Sequence, residues 1–107
     1  MKGDHVGEFE ELVLLAVAAL GDEAYGVSIK ERLDRETRRD ISIGAVYAAL
    51  DRLEAKTLLE SRDTPGPAAR GGRRRRSFAT TPAGRKILRD VRALRERLWR
   101  AAPARAR

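Results

Sequence analysis

Apolar positions recur at helical spacing in four stretches of the chain. The first stretch, residues 8–20, opens with three glutamates that suit the positive end of a helix dipole, and Gly21 is a typical helix terminator. Leucine, valine and alanine surround this helix on nearly every side, so it is expected to be buried on several sides. In so small a domain this pattern indicates that a second chain covers one side, with Phe9 and Leu12 at the contact.

The second stretch predicts a helix that starts at Asp22, a favourable N-cap residue, and runs through Thr37. Tyr25, Ile29 and Leu33 repeat along it at four-residue spacing. Gly26 and Val27 weaken the first turn of this predicted helix.

The third stretch predicts a helix that Ser42 caps and that ends near Lys56. Its buried stripe consists of Ile43, Val46, Leu50 and Leu53. The opposite face carries unusually small residues in its N-terminal half, namely Gly44, Ala45 and Ala48. A solvent-exposed helix normally carries Lys or Glu there, so the small residues leave room for another molecule to approach.

After Leu58 the pattern changes to two short strands, residues 58–63 and 74–80, joined by a Pro- and Gly-rich loop. The last helix then starts with Thr81 as its N-cap and proline at its first position. Its apolar seam has the spacing of a helix that pairs with another helix, and consists of Ile87, Val91, Leu94 and Leu98, with Trp99 at its end.

This order of elements predicts a mostly α fold with a small β-hairpin, in the α+β class. A helix pair whose second member exposes small residues, followed by a two-stranded wing, is the layout of a winged helix-turn-helix. We expect residues 1–80 to form that DNA-binding domain. Residues 81–107 are expected to form a C-terminal dimerisation helix with a frayed basic end.

Charge is distributed unevenly along the 107 residues, which hold 23 basic and 16 acidic side chains. Residues 1–69 carry 9 basic and 14 acidic side chains, a net charge of −5, whereas residues 70–107 carry 14 and 2, a net charge of +12. Such asymmetry suggests a polyanionic partner for the basic half, although a basic tail that serves only solubility fits the composition too.

The composition excludes several classes of protein. The absence of cysteine excludes disulfide scaffolds and thiolate metal sites, and the single histidine, His5, leaves little for a catalytic dyad. The longest apolar run, residues 12–20, is too short to span a bilayer, and no signal-peptide pattern precedes it. We therefore expect a cytoplasmic protein that is not an enzyme and has no cofactor, metal or membrane partner.

A winged helix-turn-helix inserts its third helix into the major groove of double-stranded DNA, where bulky outer residues would hold it away from the bases. Ser42 and Gly44 lie where the N-terminus of that helix meets phosphate. The wing supplies Arg70, Arg73, Arg74, Arg75 and Arg76 within reach of the backbone or minor groove. Because strand residues alternate between faces, about half of these arginines are expected to contact DNA.

Three further positions have two interpretations each. Arg52 suits either a surface ion pair with Asp51 or Glu54 or a DNA contact. Tyr25 and Ser28, near the start of the second helix, suit either simple packing or a position near phosphate.

Three groups of residues resemble the PadR family of bacterial transcription regulators. They are Glu10-Glu11-Leu12-Val13-Leu14-Leu15, Tyr25-Gly26-Val27-Ser28-Ile29 and the segment from Gly44 to Glu54. Arg70-Gly71-Gly72-Arg73, followed by Phe78 and by the segment from Thr81 to Arg85, is similar to the wing and last helix of that family. The resemblance covers most of residues 8–99.

The resemblance implies a homodimer that binds pseudo-palindromic operator DNA, usually as a repressor, with the C-terminal helix supplying much of the dimer contact. It favours a phosphate contact for Tyr47, whose alternative is core packing with an outward hydroxyl. It also implies that Trp99 packs in the dimer interface, where related regulators receive flat hydrophobic effectors.

This chain departs from the family pattern at two places. The family usually has glycine where this chain has Thr57, so the helix is expected to end differently or with strain. The wing tip, residues 65–69, lacks the acidic residue that often precedes Arg-Gly-Gly.

Two other classes of function remain alternatives. An RNA-binding protein would need aromatic stacking platforms, and the basic loop contains no aromatic residue. A protein-interaction module that retains the winged fold without binding operator DNA would reveal itself by dimerisation without DNA affinity.

Overall fold

Four helices and one antiparallel hairpin make up the fold in a computed structural model that describes residues 6–65 and 74–104. In chain order the elements are α1 (Glu8–Leu20), a single 3-10 turn (Gly21–Glu23), α2 (Gly26–Thr37), α3 (Ile43–Ala55), β1 (Leu59–Thr64), β2 (Arg75–Thr80) and α4 (Pro82–Ala101).

The predicted bounds of α1 and α3 and the predicted start of α4 are confirmed to within a residue or two. Gly21 ends α1 in the left-handed region, with φ of 57°, and its N–H donates to the carbonyl of Val17. Ser42 caps α3 by accepting a hydrogen bond from the Ala45 N–H at 3.2 Å. Proline occupies the first turn of α4, as its sequence predicted.

The predicted start of α2 at Asp22 is wrong, because the backbone before it is used for pairing with the hairpin. Asp22 lies in the 3-10 turn, and α2 starts only at Gly26. The carbonyl of Ala24 accepts a hydrogen bond from the Phe78 N–H at 2.9 Å, and Tyr25 forms an isolated antiparallel bridge with Ser77. These contacts require extended backbone at residues 24–25, so they delay the helix.

The hairpin pairs Leu59 with Thr80 at its base and Thr64 with Arg75 at its outer end. Both strands lie within one residue of the predicted ranges. The loop predicted to join them falls mostly on residues 66–73, which lie outside the described residues.

The core fills the space between α1, α2, α3 and the base of the hairpin. Val46, Leu50 and Leu53 of the predicted α3 stripe are fully buried. Ile43 is 37% exposed, which corrects its predicted burial. Ile41, just before the cap, packs against the core in its place, as expected of a hydrophobic residue that staples the start of a helix.

The start of α4 is joined tightly to the end of α3. The hydroxyl of Thr81 accepts from the Gly84 N–H at 3.0 Å and donates to the Thr57 carbonyl at 2.7 Å. A Cβ placed on Gly84 would lie 2.2 Å from the carbonyl oxygen of Leu58, so only glycine fits this contact.

The C-terminal half of α4 projects from the rest of the chain, since every residue from Arg92 onward is exposed through the end of the helix. The radius of gyration is 15.8 Å, whereas a compact domain of this length has about 13 Å. None of the helices within residues 6–65 and 74–104 is long and apolar enough to cross a membrane.

Candidate nucleic-acid interface

The outer side of α3 presents small residues to open space. We call Gly44, Ala45 and Ala48 the reading face, and all three are exposed. A Cβ on Gly44 would meet only the Ser42 hydroxyl, at 3.5 Å. The first turn of α3 therefore combines free approach with the partial positive charge of a helix N-terminus.

Tyr47 borders this face and packs against the start of α2. A Cβ on Gly26 would lie 2.2 Å from the Tyr47 hydroxyl oxygen, so the phenol occupies the space above the glycine. Tyr47 is still 40% exposed. The phenol therefore packs over Gly26 while part of the Tyr47 side chain stays exposed, and the phosphate contact that the resemblance implies stays a prediction.

Ser28 uses its hydroxyl to build the start of α2. Its Oγ accepts a hydrogen bond from the Tyr25 N–H at 2.9 Å and donates to the carbonyl of Glu23 at 2.5 Å. The single hydroxyl proton of Ser28 is thus already donated within the chain. Through these hydrogen bonds, Ser28 stabilises the backbone position of Tyr25.

Tyr25 and Arg75 join the start of α2 to the hairpin. The guanidinium of Arg75 lies over the Tyr25 ring, 3.8 Å from its centroid, which is a cation–π contact. Arg75 is half-buried, and its Nε is buried without a hydrogen-bond partner within the described parts of the chain. Its remaining guanidinium nitrogens are the part of the side chain suited to an anionic partner.

Arg74 is exposed at the outer end of β2. Four other predicted wing residues, Arg70, Gly71, Gly72 and Arg73, lie outside the described residues. Of the wing arginines that the structure describes, Arg74 and Arg76 are exposed and Arg75 is half-buried.

Arg52 pairs with Glu10 of α1 rather than with Asp51 or Glu54, which corrects the sequence interpretation of its ion pair. The Arg52 Nε and the Lys56 Nζ each lie 2.7 Å from a carboxylate oxygen of Glu10. Burial alone would raise the pKa of Glu10, but hydrogen bonds from Lys56 and Arg52 outweigh it and lower the pKa below its ordinary value. Arg52 keeps 53% of its side chain exposed, so it still reaches the surface.

The sequence analysis did not identify Glu10 as a buried residue, although its spacing from buried apolar residues of α1 indicates that it is. Glu10 lies four and seven residues before Leu14 and Val17, on the same buried stripe of α1. A carboxylate on such a stripe requires a cationic partner from another element. The identity of that partner depends on how α1 crosses α3.

Asp51 and Glu54 pair with Arg76 of β2, another contact that the sequence interpretation did not include. The Arg76 Nη1 lies 3.5 Å from Asp51, and its Nη2 pairs with Glu54. These three residues form one cluster of ion pairs on α3, and Glu10, Arg52 and Lys56 form another. We call the two clusters together the paired network, which holds three acidic and three basic side chains. The network is close to neutral as a unit.

The residues predicted at a dimer contact divide into two groups. Phe9, Leu12 and Ile87 are partly buried and pack against the core of their own chain. Val91 is half-buried, whereas Leu94, Leu98 and Trp99 are 48%, 64% and 78% exposed.

An open groove of about 770 Å³ runs between α1 and α4. Its apolar floor consists of Leu15, Leu88, Leu98 and Trp99, and arginines line its edge. Arg95 of α4 reaches across to Glu11 of α1, with nitrogen and oxygen 2.9 Å apart. On α1 the large apolar side chain that is exposed is Leu15, at 45% exposure, whereas Phe9 and Leu12 are partly buried.

Sequence comparison agrees with this arrangement. The Transcriptional regulator PadR-like family matches residues 14–90. A transcriptional regulator of Mycobacterium tuberculosis is 40% identical over 79 residues, which are 73% of this chain and 69% of that protein. An uncharacterized 37.1 kDa transposon protein of Streptomyces fradiae is 34% identical over 76 residues, so this chain spans only 20% of its length.

Solved structures share the fold. A PadR-like transcription factor from Bacteroides fragilis superposes with a TM-score of 0.72 at 22% identity, over 87% of this chain and 84% of that one. A PadR family regulator from Eggerthella lenta has a TM-score of 0.65 at 29% identity, over 88% and 81%. The predicted α+β winged fold is confirmed, and members of the matched family are regulators of transcription rather than enzymes. The chain belongs to the PadR-like family of transcriptional regulators.

Proposed function

We propose that this chain acts as a homodimeric repressor that recognises a pseudo-palindromic operator. The observation that carries the proposal is the reading face of α3, small and open, beside a hairpin whose Arg76 contacts Asp51 and Glu54 of the same helix. Base edges in the major groove require close approach, and phosphates require cations at a fixed distance from it.

In this proposal residues 1–80 bind DNA and residues 81–107 hold the dimer together. The exposed side chains of Leu94, Leu98 and Trp99 support a helix–helix contact between two copies, because large apolar side chains at these positions gain most from being covered. A two-fold dimer places two copies of α3 about one helical turn of DNA apart, so the operator half-sites are expected at a spacing of about 10 base pairs.

Specific assignments follow for the predicted contact residues. Ser42 and the reading face approach base edges and the adjoining phosphate, and Tyr47 and Arg52 flank them. Tyr25 holds the guanidinium of Arg75 over its ring, and Ser28 holds the backbone of Tyr25. Arg74, Arg75 and the wing residues Arg70, Gly71, Gly72 and Arg73 follow the backbone. Repression needs no further contact, because a dimer bound across a promoter excludes the polymerase.

The test is a selection of duplexes from a random library by the purified protein, followed by titration of the selected duplex and a scrambled one. Ala48→Leu should remove the preference for the selected duplex while leaving affinity for the scrambled one. Arg74→Ala should weaken both equally and lower the slope of log K against log salt by about 0.9 for each lost phosphate contact. Ala93→Leu, an equal enlargement at an exposed position of α4 outside its apolar seam, is the matched control.

Equal affinity of the unaltered protein for the two duplexes at about 150 mM salt would overturn the sequence-specific proposal. Retained preference in Ala48→Leu would overturn the assignment of α3 as the recognition helix.

The groove between α1 and α4 supports an effector site in the same proposal. Its floor of Leu15, Leu88, Leu98 and Trp99 suits a flat hydrophobic molecule held between the two protomers. Trp99 is the single tryptophan of the chain, so its fluorescence reports binding directly. Planar aromatic dyes are expected to quench it and to weaken DNA binding, and quenching that persists in Leu98→Glu monomers would place the dyes elsewhere than between protomers.

A further inference from the structure

We infer that Arg76 is a positioning residue that holds the wing at a fixed angle to α3 and makes no DNA contact of its own. The inference rests on the proposed function, because it concerns how the two DNA-contacting elements are aligned. It gives Arg76 a different role from the other arginines of the run to which it belongs in the sequence.

Three groups on two other elements hold the guanidinium of Arg76. Its Nη1 faces the Asp51 carboxylate at 3.5 Å, its Nη2 pairs with Glu54, and its Nε donates to the Ser61 hydroxyl at 3.2 Å. The Ser61 hydroxyl donates in turn to Glu54 at 2.8 Å. We call these four residues the Arg76 clamp, and they connect α3, β1 and β2.

The clamp lies where the hairpin leaves the body of the protein. Phe78 is buried in the core, and the Arg76 guanidinium lies 5.0 Å from the centre of its ring. Two residues further out, Arg74 is exposed. Arg76 therefore attaches the hairpin to α3 at a point between the buried base of the hairpin and its exposed end.

Arg75 holds the opposite face of the same strand. Neighbouring strand residues point to opposite faces, and Arg75 lies over Tyr25 while Arg76 faces α3. The hairpin is thus held from both sides, by one arginine on each.

A planar fork bound to two carboxylates and a hydroxyl determines an orientation as well as a distance. The Arg76 side chain is 41% exposed and that of Asp51 66%, and pairs this exposed contribute little to folding free energy. The clamp therefore acts by fixing the orientation of the wing. It also keeps the Arg76 guanidinium paired, so that this group does not bind phosphate.

The experiment compares lysine substitutions at two arginines of the hairpin. Lysine replaces arginine well at a phosphate contact but cannot form the fork. Arg76→Lys is expected to lower affinity for the selected duplex about five- to ten-fold, in the range of measured couplings between contacting residues, with an unchanged salt slope. Arg62→Lys, an exposed arginine of β1 whose cross-strand partner is Ser77, is the matched control and should retain the affinity of the unaltered protein. Urea denaturation should show both variants fully folded.

Glu54→Gln supplies a second and independent arm. Removing a negative charge near DNA would raise affinity by Coulomb attraction alone, but loss of the clamp should lower it. The double variant Arg76→Lys with Glu54→Gln should be no weaker than the weaker single variant, because both changes break one contact.

The inference is overturned if Arg76→Lys keeps full affinity, if its salt slope falls as that of Arg74→Ala does, or if Glu54→Gln binds more tightly than the unaltered protein. Failure of the unaltered protein to prefer the selected duplex would be a failure of the proposed function instead. In that case amide hydrogen exchange decides. Faster exchange in β1 and β2 of Arg76→Lys than of Arg62→Lys supports the clamp, and equal exchange overturns it.

Discussion

Thr57 adopts a left-handed backbone conformation where α3 ends, with φ of 60°. The Thr57 N–H donates to the Glu54 carbonyl and the Leu58 N–H donates to the Leu53 carbonyl, both at 2.9 Å. This is the hydrogen-bond pattern of a Schellman motif, in which glycine normally occupies the left-handed position. A β-branched residue there is strained, because its Cβ lies too close to the following carbonyl oxygen.

Thr57→Gly is therefore expected to stabilise the protein by about 1 kcal/mol, since relief of the left-handed strain exceeds the extra backbone entropy of glycine. The measurement is the free energy of unfolding in urea. Thr57→Ala, which keeps a Cβ in the same conformation, should gain much less. A glycine variant no more stable than the alanine variant would contradict the strain.

Glu10 contributes stability that depends on pH. Because the pKa of the folded carboxyl is lowered from its ordinary value of 4.5, its contribution is present above that value. The contribution is lost as pH falls through the lower folded-state pKa.

Glu10→Gln should cost about 1–3 kcal/mol at neutral pH, since it weakens two charge-assisted hydrogen bonds at a buried site. The difference in unfolding free energy between Glu10→Gln and the unaltered protein should shrink as the buffer is taken from about pH 6 to about pH 3. Glu60→Gln, an exposed carboxylate on β1, is the control and should show little difference at either pH. A constant difference for Glu10→Gln would contradict the paired carboxylate.

Single-residue features were predictable where local chemistry decides them. The strain at Thr57 follows from a β-branched residue at a glycine position. The ion pairs of Arg52 and Arg76 were not predictable, because the carboxylate that each meets is decided by how separate elements cross. For Arg76 that partner lies more than 20 residues away along the chain.

At the scale of elements, the first-turn glycines of α3 and α4 have different surroundings. Gly84 lies in the first turn of α4, where the helix touches the backbone of Leu58. Gly44 lies in the first turn of α3 and faces open space. The same substitution therefore distinguishes a packing glycine from a surface glycine.

Gly84→Ala is expected to destabilise the protein by about 1–3 kcal/mol, because the added Cβ overlaps a backbone oxygen and forces α4 to shift. Gly44→Ala should stabilise it by up to about 1 kcal/mol through helix propensity. Thermal and urea unfolding of both variants measure these changes. Stabilisation by Gly84→Ala would show that α4 does not approach Leu58 so closely.

Helix bounds followed from caps and periodicity for α1, α3 and α4, because each has a strong local signal at its start or end. The start of α2 did not, since Asp22 is a good cap that the fold does not use. Pairing of residues 24–25 with β2 outweighed the local preference. A tertiary contact of this kind is invisible to periodicity.

At the scale of the whole molecule, the arrangement leaves α4 and one side of α1 with an exposed apolar surface, which the proposed dimer would cover. Periodicity correctly indicated that α1 lacks a purely polar side. It did not show that Leu15, rather than Phe9 or Leu12, is the large apolar residue that is exposed, because that depends on which side α2 and α3 cover.

Leu98→Glu should convert the proposed dimer to a monomer, because it places a charge in the proposed apolar contact without touching the core of its own chain. Arg97→Glu introduces the same residue at the neighbouring exposed position and should remain dimeric. Sedimentation equilibrium distinguishes the two states. If both variants have the same oligomeric state, the proposed contact through Leu98 is wrong.

The paired network around α3 has a consequence for how such a regulator changes its target. Three acidic and three basic side chains already neutralise one another there, so in the proposed complex attraction to phosphate comes mainly from the wing. Substitutions at positions 44, 45 and 48 can then exchange one preferred base sequence for another, while the sequence-independent affinity for DNA stays constant. A gene duplicate could acquire a new operator by a few changes on one helix and keep its wing, its dimer and its fold unaltered.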